Sequence, residues 1–416
     1  MTADDAYAPS RREPVADAVT ELIRELSLKA EPYIIERRRY FHAHPEPSLA
    51  EFRTTEAIAS ELDTLGIPYT CPLPTGLIAT IRGTAPGAYL SDGSPRRRLL
   101  MRSDIDALAV TERTGEPFAS ENDGLMHACG HDCHIAMMLG AIRVLAQMTD
   151  ALEGEIRVVF QPSEENGRGA QMMVDAGACD GVDGTFAMHI WSEVDAGTIS
   201  CEPGPRMANT DWFRIDVTGT SCHGAMPQRG ADAVVAAAEI VNALQTIVSR
   251  EVSPYEPAVV TIGELHGGTA RNVIAGSAYL TGTVRTYGES AHENMPRLMQ
   301  RVVEHTAEAL GVEAKLEYTC AHGAVVNDPA SARRCRRAVV EILGKEAVGS
   351  YRGTLSGEDF SQFLRRVPGV LAFVGTRNPA IGATYAQHSC YYKVDESVLV
   401  KGTMLACQYA VDFLAE

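Results

Sequence analysis

Apolar positions recur with helical spacing from Val15 to about Leu65, after which the chain switches to short apolar runs that end in acids or histidine. Leu99-Leu100-Met101 runs into Asp104-Ile105-Asp106, and Ile156-Arg157-Val158-Val159-Phe160 runs into Gln161-Pro162-Ser163-Glu164-Glu165. Thr185-Phe186-Ala187-Met188 delivers His189, and Val370-Leu371-Ala372-Phe373-Val374 precedes the segment that holds His388. Runs of this length predict buried strands, and helical stretches such as 135–148 alternate with them. The pattern is that of an α/β domain whose functional groups lie beyond the carboxyl ends of its strands.

Between 208 and 320 the rhythm changes. Strand (212–217), helix (231–252), strand (258–263), strand (278–285), helix (293–310) and strand (315–318) follow one another, the βαββαβ order of a ferredoxin-like unit. The α/β rhythm then resumes. The expected organisation is a catalytic domain in two parts, 15–207 and 321–416, with a smaller domain inserted at 208–320. The residues before about Pro14 are polar and proline-broken and are expected to be disordered.

The chain has 416 residues, a natural length for two domains, and 45% hydrophobic residues, enough for a fully folded globular protein. Its formal net charge of -17 argues against a nucleic-acid partner, whose phosphates would be repelled. The clusters Arg37-Arg38-Arg39 and Arg96-Arg97-Arg98 are short and read as solvated. No apolar run is read as long enough to span a bilayer, and the opening lacks the pattern of a secretory signal, so a cytoplasmic protein with no membrane partner is expected. Ten cysteines without framework spacing fit reduced thiols. Cys71, Cys179, Cys201, Cys320, Cys335 and Cys407 read as packing residues, with Cys129 set apart.

Cys129-Gly130-His131-Asp132 gathers a thiol, an imidazole and a carboxylate on a glycine-containing turn, before a helix expected to start near His134. A helix N-terminus and a dication both favour the thiolate, so Cys129 is a candidate ligand at neutral pH. Glu165, His189 and His388 are candidates to complete a set that holds two ions, with one bridging ligand between them. A structural zinc site would use four protein ligands, often in paired Cys-x-x-Cys spacing, which is missing around Cys129. Glu164 is then one acid more than coordination requires. At an irregular strand end two neighbouring acids can face one cavity, so Glu165 ligates while Glu164 serves as general base. Asp104 and Asp106 are expected behind the ligands, fixing the Cys/His turn. Cys133 and His134 extend into the helix and are left out of the ligand set.

The strings MRSDIDAL, HACGHDCH, QPSEENGRGA, AMHIW, HGAMPQRGAD, GTVRTY, SGEDF and AQHSC, in order over nearly the whole chain, resemble those of the metallopeptidase family that includes carboxypeptidase G2-like enzymes and aminoacylases. Within it they resemble the amidohydrolase branch of hippurate hydrolases, N-acyl-amino-acid amidohydrolases and plant auxin-conjugate hydrolases. The resemblance implies a two-metal exopeptidase-like catalytic domain with an inserted lid and dimerisation domain. It implies that Cys129 bridges two divalent ions, that His131, Glu165, His189 and His388 are the other ligands, and that Glu164 is the base. It further implies that His223 reaches the partner subunit's site to stabilise an oxyanion, that Asn272 and Arg285 help grip the substrate carboxylate, and that Gly357 lines that pocket. The implied assembly is a homodimer or a tetramer, and the implied reaction is amide cleavage of N-acyl amino acids or similar conjugates. Zinc, manganese, cobalt and nickel all tolerate such ligands. The chain departs from its relatives in reading Asn272-Val273 where a proline is common, in lacking a glycine before His223, and in placing Ala109 where the strand-end motif usually has proline. None of these removes a ligand or the base; they bear on pocket shape.

Other classes fit less well. Gly219-Thr220-Ser221-Cys222-His223 nearly spells a nucleophile elbow but lacks its last glycine. A zinc nucleobase deaminase needs His-x-Glu together with Pro-Cys-x-x-Cys, and the sequence has no Pro-Cys-x-x-Cys. A binding module with a decayed site would have lost a ligand or the base. Within the enzymes, a di- or aminopeptidase acting on unblocked peptides is the remaining alternative.

Overall fold

The computed structural model describes residues 14–416, so the stretch expected to be disordered before Pro14 lies outside the described residues. Contacts divide the chain into two compact units. One runs up to Gly204 and takes in Asn327–Arg352 and Gln362–Glu416; the other is Pro205–Val326 with Gly353–Ser361. The loop Gly353–Ser361, which the chain pattern leaves with 321–416, goes to the second unit through backbone bonds. Thr354 N–H donates to Arg206 O (2.9 Å) and Ala208 N–H to Ser356 O (3.0 Å).

The first unit is built on a seven-stranded sheet. Its order is Tyr69–Thr70, Leu77–Arg82, Glu155–Gln161, Arg98–Asp104, Gly184–Asp195, Gly369–Arg377, Ile199–Ser200. The four central strands are mutually parallel, and antiparallel strands close both edges. Parallel strands covered on both faces carry near-continuous apolar runs, and Gly369–Arg377 is buried at every position but the last. The helical region before Leu65 is two helices, Pro14–Ala43 and Phe52–Leu65. Pro45 and Pro47 explain the break, because proline lacks an N–H and disfavours helical geometry in the residue before it. Helices Pro14–Ala43, His131–Leu145 and Leu399–Leu414 pack on one another in the main core.

Two expectations shift. The helix after Cys129 starts at His131, not near His134, with Gly130 at φ 92° before it. The strand carrying His189 does not stop at Met188 but continues to Asp195. Its pairing to Arg98–Asp104 ends at Ala187, opposite Arg102, so His189 sits mid-strand where that neighbour no longer follows it.

The second unit has the predicted element order. Strands Asn209–Thr218, Ala258–Gly267, Ser277–Thr286 and Glu313–His322 form an antiparallel sheet of spatial order fourth, first, third, second, which is ferredoxin-like. Phe213, Ile215 and Val217 alternate onto one face of the sheet and share a core with Ala236, Ile240 and Leu244 of helix Ala233–Thr246 and with Met295, Met299 and Val303 of helix Glu289–Ala309. The span Ala233–Glu251 is long and apolar enough by composition to cross a membrane, which corrects the expectation that no run reaches that length. Its residues Ala236, Ile240, Leu244 and Ile247 are spent on this core.

The turn from strand Glu155–Gln161 to helix Gly169–Asp175 depends on close backbone approach. A Cβ on Gly169 would lie 1.5 Å from Pro162 O and 2.7 Å from its carbonyl carbon. Neither atom can withdraw without moving the Ser163–Glu165 segment. Gly169→Ala is therefore expected to cost about 1–3 kcal/mol, measurable as a lowered denaturant midpoint, whereas Gly66→Ala, which meets no atom within 4 Å, should show only the smaller strain of a positive φ.

Candidate metal centre

Local backbone geometry brings six side chains together at the carboxyl end of the parallel strands. Gly130 has two reasons to be glycine: its φ of 92°, and the Ile190 Cδ1 that a Cβ would meet at 2.2 Å. It turns the chain so that Cys129 precedes, and His131 opens, the helix His131–Leu145. Ser163, at φ 55°, bends the chain after strand Glu155–Gln161 and presents Glu164 and Glu165. His388 has φ 67°, and its N–H donates to Ala128 O at 2.8 Å, which ties it to the Cys129 turn. Gln387 adds a bond from Nε2 to Ile190 O (3.1 Å) and accepts one from the Ser192 hydroxyl (2.7 Å). Left-handed geometry in a non-glycine residue costs on the order of 1–3 kcal/mol and persists where surrounding bonds over-determine it.

Ligating atoms fall into two sets with one member in common. The first is Cys129, His131 and His189; the second is Cys129, Glu165 and His388, each set lying within 4.8 Å. Cys129 Sγ is 3.6 Å from His189 Nε2, and His388 Nε2 is 3.7 Å from Glu165 Oε2. His131 Nε2 faces Glu165 Oε1 at 3.9 Å and Glu164 Oε2 at 4.0 Å. The tautomers follow from the opposite ring nitrogens. His131 Nδ1 donates to Asp106 O (2.9 Å) and His189 Nδ1 to Ile190 O (2.7 Å), so both Nε2 atoms point into the cluster.

The charge distribution suits a cation. His131 Nε2 and Glu165 Oε1 are buried and have no hydrogen-bond partner among the described residues, an arrangement that costs roughly 1–3 kcal/mol per group. Burial favours the neutral His131 ring, yet Asp104 and Asp106 outweigh it and lift the pKa to about 10. Burial likewise lifts Glu165 to about 7, against the pull of His131. Both groups hold protons where a divalent ion would replace them. Burial and the neighbouring His134 push His189 far down, and burial and His131 push His388 down, which leaves both rings neutral and ready to ligate. The residues present fit a pair of divalent ions.

Asp104 and Asp106 lie behind this cluster. Asp104 takes Arg102 Nη1 on Oδ2 (2.7 Å) and His134 Nδ1 on Oδ1 (2.6 Å). His134 Nε2 accepts Ile190 N–H at 2.9 Å, so both of its ring nitrogens are engaged and it stays out of the ligand set. Asp106 Oδ2 accepts the Ser48 hydroxyl (2.6 Å) and Glu165 N–H (3.1 Å), and so anchors the ligand's own backbone.

The remaining candidates belong to the second unit and form two groups within it. His223 bridges Val273, and Gly224 N–H donates to Asn272 O at 2.8 Å, at the end of the sheet where Thr218 pairs with Ser277. His223 Nδ1 accepts Ala225 N–H (3.0 Å), which leaves Nε2 as an exposed donor. Arg285 pairs in register with Thr210 at the other end, and a Cβ on Gly357 would strike the Thr210 hydroxyl and the His322 ring. The eight residue steps from Ser277 to Arg285 separate the two groups by roughly 26 Å of strand.

Several supporting residues escape a reading of the sequence. Arg38, expected to be solvated, is buried and pairs with Asp132 at 2.9 Å, beside His42, whose Nδ1 is 2.8 Å from the same carboxylate. Its signal was the spacing Ile34, Arg38, Phe41, His42 along one helix face, all buried. Cys71 and Cys320, expected to pack, are exposed.

Residues 100–412 match the model of peptidase family M20/M25/M40. The chain is 36% identical over 389 residues to thermostable carboxypeptidase 1 of Saccharolobus solfataricus, covering 92% of this chain and 96% of that protein. It is 39% identical over 309 residues to an N-acyl-L-amino acid amidohydrolase of Geobacillus stearothermophilus, covering 74% and 81%. The crystal structure of a dinuclear metal binding peptidase of the M20 family from Bacillus subtilis superposes with a TM-score of 0.80 at 33% identity, covering 92% of this chain and 98% of that one. The family match, the extent of identity and the shared fold agree, and the chain belongs to peptidase family M20/M25/M40.

Proposed function

We propose that the protein is a metal-dependent amidohydrolase that cleaves N-acyl amino acids, or similar amide conjugates, to a carboxylic acid and a free amino acid. The observation that carries this reading is the pair of ligand sets sharing Cys129, with Glu164 outside these two and grouped instead with His131 and Glu165. The related N-acyl-L-amino acid amidohydrolase and the related dinuclear peptidase support the reaction class and the two ions. When bound, two divalent ions polarise the scissile carbonyl and make water acidic enough to react near neutral pH.

The chain's own groups supply the rest. Cys129, common to both sets, would hold the ions together with His131 and His189 on one side and Glu165 and His388 on the other. Glu164, 9% exposed, takes the proton of the attacking water and returns it to the leaving nitrogen. Asp104 and Asp106 hold the imidazole and carboxylate ligands in place. His223 donates Nε2–H to the developing oxyanion, Asn272, supplied by the same chain as that histidine, and Arg285, supplied by the other chain, hold the substrate carboxylate, and Gly357 lines that pocket. The strand length between the His223 group and the Arg285 group supports a site completed by a partner subunit, because one small substrate cannot span both in one chain. We place this homodimer in the cytoplasm; ten unbridged thiols support a reducing compartment.

A carboxypeptidase among the relatives favours a second reading, hydrolysis of unblocked peptides. A panel of N-acetyl and N-benzoyl amino acids against free dipeptides separates the two. Amine release from the acylated set is expected, abolished by chelation and restored by zinc, manganese, cobalt or nickel. Release from free dipeptides alone would favour the peptidase, and full turnover after exhaustive chelation would end both readings.

Glu164→Gln keeps the shape but cannot accept a proton, so turnover should fall on the order of 10²–10⁴ with metal content intact. Glu165→Gln should instead lower metal occupancy, as measured by elemental analysis. The opposite pattern would exchange the two roles.

His223→Ala should lower turnover by roughly 10²–10³ with little change in KM, since an oxyanion donor acts mainly in the transition state. A mixed dimer of His223→Ala and Glu164→Gln subunits then holds one site with both lesions and one with neither. Mixing two nearly inactive proteins should restore activity, and no recovery despite demonstrated subunit exchange would place both residues in one subunit's site.

A further inference from the structure

Glu51 stands immediately before helix Phe52–Leu65, in the position where a side chain ordinarily caps the helix, yet it makes no side-chain bond to that helix. The residue is 0% exposed. Its carboxylate Oε1 instead accepts two backbone N–H groups, from Leu49 at 2.9 Å and from Ser163 at 2.8 Å, the latter 112 residues away in the chain. Both donors have positive φ, 66° and 55°, and His388 is the only other non-glycine residue in that region among the described residues. A buried carboxylate is costly unless hydrogen-bonded, and this one is spent on two strained backbone turns.

Ser163 is the residue whose left-handed turn sets the direction of Glu164. The segment is held from both sides: Glu51 takes the Ser163 N–H before the base, and Asp106 takes the Glu165 N–H after it at 3.1 Å. The Ser163 carbonyl accepts Gly169 N–H at 3.1 Å, and the Glu164 carbonyl accepts Gly167 N–H at 2.7 Å, which closes the turn below. Of the two anchors, Asp106 also accepts the Ser48 hydroxyl and lies beside His131, so it serves the ligands. Glu51 touches none of the ligands in these bonds. Of its two amides, the Ser163 N–H belongs to the turn that leads into Glu164 and the Leu49 N–H to the turn before helix Phe52–Leu65.

We propose that Glu51 is a positioning residue for the catalytic base, locking the left-handed turn at Ser163 that aims Glu164; this rests on the reading of Glu164 as the base. The Glu51 carboxylate does not touch the reacting atoms. Releasing Ser163 lets the base drift while Asp106 keeps Glu165 in place, so turnover and metal retention separate. A displacement of about 1 Å at a reacting group costs up to on the order of 10² in rate.

Four full-length, metal-loaded variants test this: Glu51→Ala, Glu51→Gln, Asp106→Ala and Glu164→Gln, assayed for kcat, KM, metal content and amide exchange in the peptide spanning 161–169. Glu51→Ala should lower kcat by roughly 10–10², leave KM within about threefold and metal content at the wild-type level, and accelerate exchange in that peptide. Glu51→Gln retains a carbonyl oxygen for both N–H groups and should recover most of the loss. Asp106→Ala should lose metal. The proposal is overturned if Glu51→Ala keeps wild-type turnover and exchange, if it loses metal as Asp106→Ala does, or if Glu51→Gln is as impaired as Glu51→Ala. Should Glu51→Ala fail to fold, Glu51→Asp, one methylene short of the two amides, carries the same outcomes at smaller amplitude. Turnover retained by Glu164→Gln would remove the base assignment, and the exchange rates alone would then decide whether Glu51 holds Ser163.

Discussion

The concentration of carboxylate around one buried imidazole is the constraint on which the rest of the first unit depends. Asp104, Asp106, Glu164 and Glu165 converge on His131, and the Arg102 guanidinium lies 2.7 Å from Asp104. Like charges at this spacing repel strongly in a buried setting, and a lone cation cannot offset four of them. Protons raised onto His131 and Glu165 relieve the excess in part, and a pair of dications relieves it fully. The same imbalance that would destabilise a purely structural core is what makes the site bind metal.

Binding tightly does not by itself orient a reaction, and the backbone takes that role. The carbonyls of Asp106 and Ile190 set which nitrogen of His131 and His189 carries the proton. Among the described residues three non-glycine residues accept left-handed backbone, and two of them, Ser163 and His388, flank or supply the acids and the last ligand. Each is pinned by a bond from elsewhere in the fold, to Glu51 and to Ala128 respectively. Strain at these points is tolerated because the parallel strands beneath them are buried and rigid. Precision at the loops is therefore borrowed from the sheet.

The second unit solves a different problem. Its four-stranded sheet sets His223 and Asn272 at one end and Arg285, Thr210 and Gly357 at the other. A single sheet strand is long compared with an N-acyl amino acid, so groups at its two ends cannot both reach one such molecule within a single chain. Gly357 has no space for a side chain between Thr210 and His322, which leaves the backbone itself as the surface at that end.

The chain's periodicities carried the elements, since burial on both faces makes strands such as 155–161 and 369–377 read as apolar runs, and the switch to βαββαβ marked the second unit. Residue types carried the chemistry: thiol, imidazole and paired acids in HACGHDCH and QPSEEN belong together on any reading of ligand preference. What sequence by itself could not determine was the path of the backbone between those residues. That the strand runs on through His189 to Asp195, and that the helix begins at His131, depends on where a neighbouring strand stops pairing and on a glycine at φ 92°. Arg38 looked like a surface charge, and Glu51 gave no signal at all, because their partners, Asp132 and Ser163, lie far along the chain. Local spacing determines which face of an element a residue occupies, and only tertiary packing decides which distant backbone group that face will meet.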